Sequence, residues 1–135
     1  MKMVRIAAIV TLSFLALSAF LGAIPLILDP TGSTMRMPLS FLRYSPFHSF
    51  LIPGVILLVS NGLLALVVLW MALRRIPRYG LWTALQGCVL MGWLVVECWI
   101  LRLVVWPHYL YGAAALALIV TGMALRHEPA PGSGT

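Results

Sequence analysis

Four apolar runs, each long enough to cross a lipid bilayer, occupy most of the chain. A transmembrane helix takes about 20 mostly apolar residues. The first run extends from Ile6 to Leu28, broken by Thr11, Ser13, Ser18 and glycine, and ends in the turn sequence Asp29-Pro30-Thr31-Gly32. The second extends from Phe47 to Leu73. Ser45 before Pro46 reads as an N-cap with proline at the first helical position. Pro53-Gly54 then implies either a kink or an interfacial lead-in before a span that starts at Pro53. The third run is Tyr79 to Leu101, ending at Arg102, and the fourth is Pro107 to Leu125, ending at Arg126. The Pro/Gly/Ser-rich stretch from His127 to Thr135 is expected to be a disordered tail. The expected fold is all-α: one membrane-embedded domain over residues 1–126, an antiparallel four-helix bundle with an outer amphipathic or re-entrant loop.

Composition agrees with lipid as the solvent. Of 135 residues, 62% are hydrophobic and only 9% charged, against about 25% charged in ordinary soluble domains. Mean hydropathy is +1.05. The net charge of +6 does not point to nucleic acid, because the basic residues are scattered at helix ends rather than gathered on one soluble face. The first run follows Lys2 and Arg5 like a signal peptide, with Ala16-Leu17-Ser18 as a passable cleavage site. It is longer than the usual apolar core of such a segment and is expected to stay as a span.

Lysine and arginine set the expected orientation. Lys2, Arg5, Arg74, Arg75, Arg78 and Arg126 fall on one side, and Arg36, Arg43 and Arg102 on the other. Six against three predicts both termini in the cytoplasm. An aromatic belt is expected from Trp70, Tyr79 and Trp82 on the inner side, and from Tyr44, Trp99, Trp106, Tyr109 and Tyr111 on the outer. The 29–46 connection carries Met35, Met37, Leu39, Phe41 and Leu42, too apolar for a free loop, so it is expected to lie on the membrane surface or fold over the bundle.

Helices in lipid associate by close backbone approach and a few hydrogen bonds. The candidate packing stripes are Gly54, Asn61, Ala65 and Ala72 on the second span; Ala84, Cys88 and Gly92 on the third; and Gly112, Ala113, Ala117 and Thr121 on the fourth. Cys88 and Cys98 sit about 15 Å apart along one helix, too far for a disulfide, and are read as small buried apolar residues.

Few residues offer chemistry. Glu97 is the one acidic residue within a span, and ionisable residues there are functional candidates by default. It lies about one turn from the outer end, where pairing with Arg43 or Arg102 is the plainer role. Gln86, Leu90, Trp93 and Glu97 share a helical face, directed away from Ala84 and Cys88. With Asn61 they either line an outward cavity or, for Asn61 and Gln86, act as interhelical glue. His48 and His108 begin the second and fourth spans at the outer interface. No third ligand and no C-x-x-C-H accompany them, so no metal, haem or other cofactor is expected. Asp29 caps its turn, pairs with Arg36 or Arg43, or joins Glu97, His48 and His108 in an outer polar cluster. No nucleophile-elbow, phosphate-loop or zinc-protease motif is present.

The string Asp29-Pro30-Thr31-Gly32, Ser45-Pro46-Phe47, Leu51-Ile52-Pro53-Gly54 and Asn61-Gly62, followed by Gly92-Trp93 and the span around Glu97, resembles a group of small bacterial four-span membrane proteins. The resemblance implies the inner membrane and no activity, and it implies an uncharged polar residue at the position of Glu97. The expected function is non-enzymatic: binding membrane lipid or another apolar ligand, or docking with a larger membrane complex. The alternatives are a small proton-coupled transporter acting as a homo-oligomer, and a membrane enzyme acting on a lipid or quinone at the outer leaflet through Glu97, His48 or His108.

Overall fold

A computed structural model describes residues 2–32, 46–101 and 106–126. Four helices make up the bundle: α1 (Lys2–Leu28), α2 (Leu51–Leu73), α3 (Tyr79–Leu101) and α4 (Trp106–Leu125). Each is long and apolar enough to cross a membrane. They run antiparallel in sequence order around the bundle, and each packs on its neighbours in the ring: α1 on α2 and α4, α3 on α2 and α4. Residues 33–45 of the expected outer loop, Arg36, Arg43 and Tyr44 among them, lie outside the described residues, as do Arg102 and the tail.

The bundle is built as two hairpins. In the first, Ala8, Leu12, Leu15 and Ala16 of α1 share a buried cluster with Ala65, Val68 and Ala72 of α2, while Ala19 packs beside Gly62 and Ala23 and Leu26 beside Gly54. Gly54 lets the N-terminal part of α2 close onto α1, since a Cβ there would stand 3.1 Å from that of Leu26. In the second, Gly80 and Gly87 of α3 meet Gly122 and Ala115 of α4 almost backbone to backbone. A Cβ on Gly87 would lie 2.7 Å from the Ala115 carbonyl oxygen. The contact between α3 and α4 is the most extensive in the molecule.

This differs from the sequence expectation. The stripe expected on α2 is buried, but those on α3 and α4 are turned. Cys88 and Gly92 are exposed, and so is Ala113. Cβ atoms on Gly92 and Gly112 would meet nothing within 4 Å. The cause is physical: a lipid-facing surface accepts small apolar residues as readily as a helix interface does, so residue size alone does not choose the inward face. Cys88 and Cys98 are free thiols; Cys88 is exposed and Cys98 half-buried, so the reading of both as buried fails.

The second helix starts at Leu51, four residues later than Phe47. Its first turn is tied down by Phe50 N–H donating to the Pro30 carbonyl at 2.9 Å. Pro53 falls in that first turn, where no backbone donor is needed, and it neither breaks nor starts the helix. The irregularity comes later. Leu58–Leu63 is π-helical, and the Leu64 N–H reaches back five residues to Val59. Returning from that register to α-helix skips one carbonyl.

At the arginine-bearing end, α2 and α3 join through a tight reversal. Ile76 N–H donates to Met71 O at 3.0 Å and Arg75 takes φ 50°, the pattern of a left-handed helix cap. Tyr79 N–H then donates to Ile76 O across Pro77-Arg78, with Arg78 at φ 70°. Arg5 reaches over from α1: its Nε donates to Ala72 O and its Nη2 to Leu73 O, each at 3.1 Å. A cation thus meets the final carbonyls of α2, where the helix dipole is negative. Trp70, Trp82, Trp99, Trp106 and Tyr109 are exposed at the helix ends, as a belt requires. Tyr79 and Tyr111 are not belt residues. Tyr79 is buried in the core, and Tyr111 stacks on Phe14 with ring centroids 5.6 Å apart.

Candidate functional site

Hydroxyls within the spans turn inward on their own helices. Thr11, Ser13, Ser60, Thr83 and Thr121 each donate to the carbonyl four residues back, at 2.6–2.8 Å. This satisfies them without water and leaves the amides and the carboxylate as the side chains that look outward from their helix.

Gln86 and Asn61 meet across α3 and α2. Gln86 Nε2 donates to Asn61 Oδ1 at 3.2 Å and to the Ser60 carbonyl at 3.1 Å. The second bond takes the kind of carbonyl that the π-helical stretch sets free. Asn61 Nδ2 donates to Ser60 Oγ at 3.1 Å. Both amides are fully buried, and Gln86 Oε1 has no donor among the described residues. The arrangement is a polar clamp between the hairpins, about halfway along α2.

Toward the other end, Leu90, Trp93, Leu94 and Glu97 of α3 line a pocket of about 140 Å³ with Leu15, Ser18 and Gly22 of α1, Leu57 of α2 and Tyr111 of α4. Gln86 and Asn61 are not among its lining. Glu97 Oε2 lies 3.3 Å from His108 Nε2, ion-pairing distance when the imidazole is protonated. The Trp93 side chain lines the same pocket. The His108 side chain is only 8% exposed, that of Glu97 37%. The partner of Glu97 is therefore α4's histidine; Arg43 and Arg102, the partners expected from sequence, lie outside the described residues.

A second, larger recess of about 320 Å³ opens on the other side of Trp93. Its walls are Phe47, Pro53 and Ile56 from the α2 side, and Val89, Gly92, Val96 and Ile100 from α3. The first turns of α2 stand away from α3, and the two helices approach again toward the arginine-bearing end. At the far end, Phe47 and Ile100 close on Leu26 and Phe50. The groove is thus a window framed by that cluster and by the Gln86–Asn61 clamp, with exposed Gly92 as an open stretch of wall.

The remaining sequence candidates stand apart from this pocket lining. Asp29 caps its turn: Thr31 Oγ1 donates to its Oδ1 at 2.6 Å and Gly32 N–H to its carbonyl at 3.0 Å. His48 is exposed in the irregular stretch before α2. Among the described residues no three His, Cys, Asp or Glu side chains gather as a metal site would require. Sequence reasoning missed Ser18 and Tyr111 as pocket residues and Arg5 as a helix cap. A polar residue within the first span was the available signal for Ser18; nothing local marked the other two. No known protein family, curated protein or solved structure matches this chain.

Proposed function

We propose that this chain is a non-catalytic protein of the bacterial inner membrane that holds an apolar ligand, a lipid acyl chain, in the window between α2 and α3. One observation carries the reading: an apolar groove of about 320 Å³ stays open between two helices that are fastened to each other above and below it. An alkyl chain lying there replaces missing side-chain contacts with dispersion contacts along its length. The basic residues Lys2, Arg5, Arg74, Arg75, Arg78 and Arg126 support an orientation with that end in the cytoplasm, so that the groove faces the outer leaflet.

Native mass spectrometry from mild detergent tests this. Wild type is expected to retain a defined lipid mass, and Gly92→Leu, which puts a side chain into the groove, is expected to lose it. The substitution should not unfold the protein, because a Cβ at Gly92 meets nothing within 4 Å and glycine inside a helix costs about 0.8–1.0 kcal/mol relative to alanine. Equal lipid retention by both proteins contradicts the reading.

A second reading is favoured by the Glu97–His108 contact, which sets two proton-exchanging groups side by side in the outer part of the bundle. That pairing suits a small proton-coupled transporter working as an oligomer. Its signature is proton-dependent uptake that disappears in Glu97→Gln.

A further inference from the structure

The pocket beside the groove offers its occupant hydrogen-bond acceptors and aromatic rings. Ser18 Oγ donates to the Leu15 carbonyl at 3.1 Å, so its remaining capacity is as an acceptor. His108 already lies on the Glu97 carboxyl group, but a carboxylate has about four lone-pair positions and one donor does not fill them. The described lysine and arginines, Lys2, Arg5, Arg74, Arg75, Arg78 and Arg126, stand at the opposite end of the bundle. The indole of Trp93 and the phenol ring of Tyr111 line the same space, and aromatic faces attract a cation. The volume of about 140 Å³ is close to that of a cavity which admits benzene, so a compact group fits and a bulky one does not. Trp93 lines both recesses, so the pocket and the groove adjoin at its side chain.

We propose that the pocket takes the primary ammonium head of an amphiphile, with Glu97 accepting its N–H groups beside Trp93 and Tyr111, while the alkyl chain lies in the groove. This rests on the groove reading above and adds the chemistry of the head. Two sources share that chemistry: an aminophospholipid of the bilayer, and a free long-chain amine.

The full-length protein in phosphatidylcholine nanodiscs distinguishes them. Phosphatidylethanolamine, a single-chain alkylamine and the alcohol of the same chain length are each titrated in, and bound ligand is read by native mass spectrometry. An ammonium-bearing ligand is expected to bind. Glu97→Gln, which keeps the shape and the acceptor for His108, is expected to weaken it about tenfold, the scale of one charge-assisted hydrogen bond. The same variant should leave the alcohol unchanged, and Gly92→Leu should weaken amine and alcohol alike. Retention of phosphatidylethanolamine alone assigns the head to a membrane lipid; retention of the alkylamine alone assigns it to a free amine. Amine and alcohol binding equally, with Glu97→Gln silent on both, overturns the ammonium proposal and leaves the groove reading standing. Failure of every ligand to bind overturns both.

Discussion

Gln86 serves two acceptors at once, and both belong to the same turn of α2. In lipid an abandoned acceptor finds no water, so removing the Gln86 amide leaves the Ser60 carbonyl and Asn61 Oδ1 unmet together. Removing Asn61 leaves one Gln86 N–H without its acceptor and takes a donor from Ser60 Oγ, which keeps its own bond to the Ile56 carbonyl. Gln86→Leu is therefore expected to destabilise more than Asn61→Leu. The double variant should show a coupling of about 0.6–1.7 kcal/mol, the range for interhelical hydrogen bonds in membranes. Thermal unfolding in detergent across the four proteins checks this, and strict additivity would show that the clamp is not one unit. The two amides could be picked out from the sequence because polar residues inside a span are rare. Their direct partnership was one of two open readings, since nothing in a sequence reveals that a π-helical stretch exposes the carbonyl that Gln86 takes.

The helices themselves could be read to within a few residues, but their rotation could not. A soluble helix shows its core by periodicity, because one face must be polar. Here Val95, Leu116 and Val120 face outward and Leu90, Leu94 and Leu118 inward, so apolar residues mark both sides. Small residues fail as a guide for the same reason: Gly87 and Gly92 lie five positions apart, one against the α4 backbone and one in open space. The contrast predicts opposite behaviour. Gly87→Val forces apart the tightest interface in the bundle and is expected to cost at least about 1–3 kcal/mol, the usual penalty of overpacking, whereas Gly92→Val is tolerated. Thermal midpoints of the two variants, measured side by side, check it; equal midpoints would contradict the packing of α3 on α4. The reversal between α2 and α3 shows a different limit. Arg75 and Arg78 both adopt positive φ, which favours glycine. Propensity alone would not place arginines there, but Arg74, Arg75 and Arg78 are three of the six basic residues on which the expected orientation rests.

At the scale of the molecule, the two hairpins are close-packed within themselves and joined more sparingly to each other, by the α1–α4 contact, the approach of α2 to α3 at the arginine-bearing end, the clamp and the Phe47–Ile100 cluster. The proposed ligand site lies at the less complete of these joints. The pocket of Glu97, Trp93 and Tyr111 and the apolar groove beside it lie between the hairpins, and the chain leaves space there that it fills elsewhere with alanine and leucine. The direct test of the central claim is photolabelling in nanodiscs with a lipid carrying a diazirine on its acyl chain, mapped by peptide mass spectrometry. The account predicts adducts concentrated on Ile56, Val89, Gly92, Trp93 and Val96. Labelling spread evenly over those residues and outward-facing ones such as Val95, Leu116 and Val120 would mean that the groove is ordinary lipid-exposed surface and holds nothing.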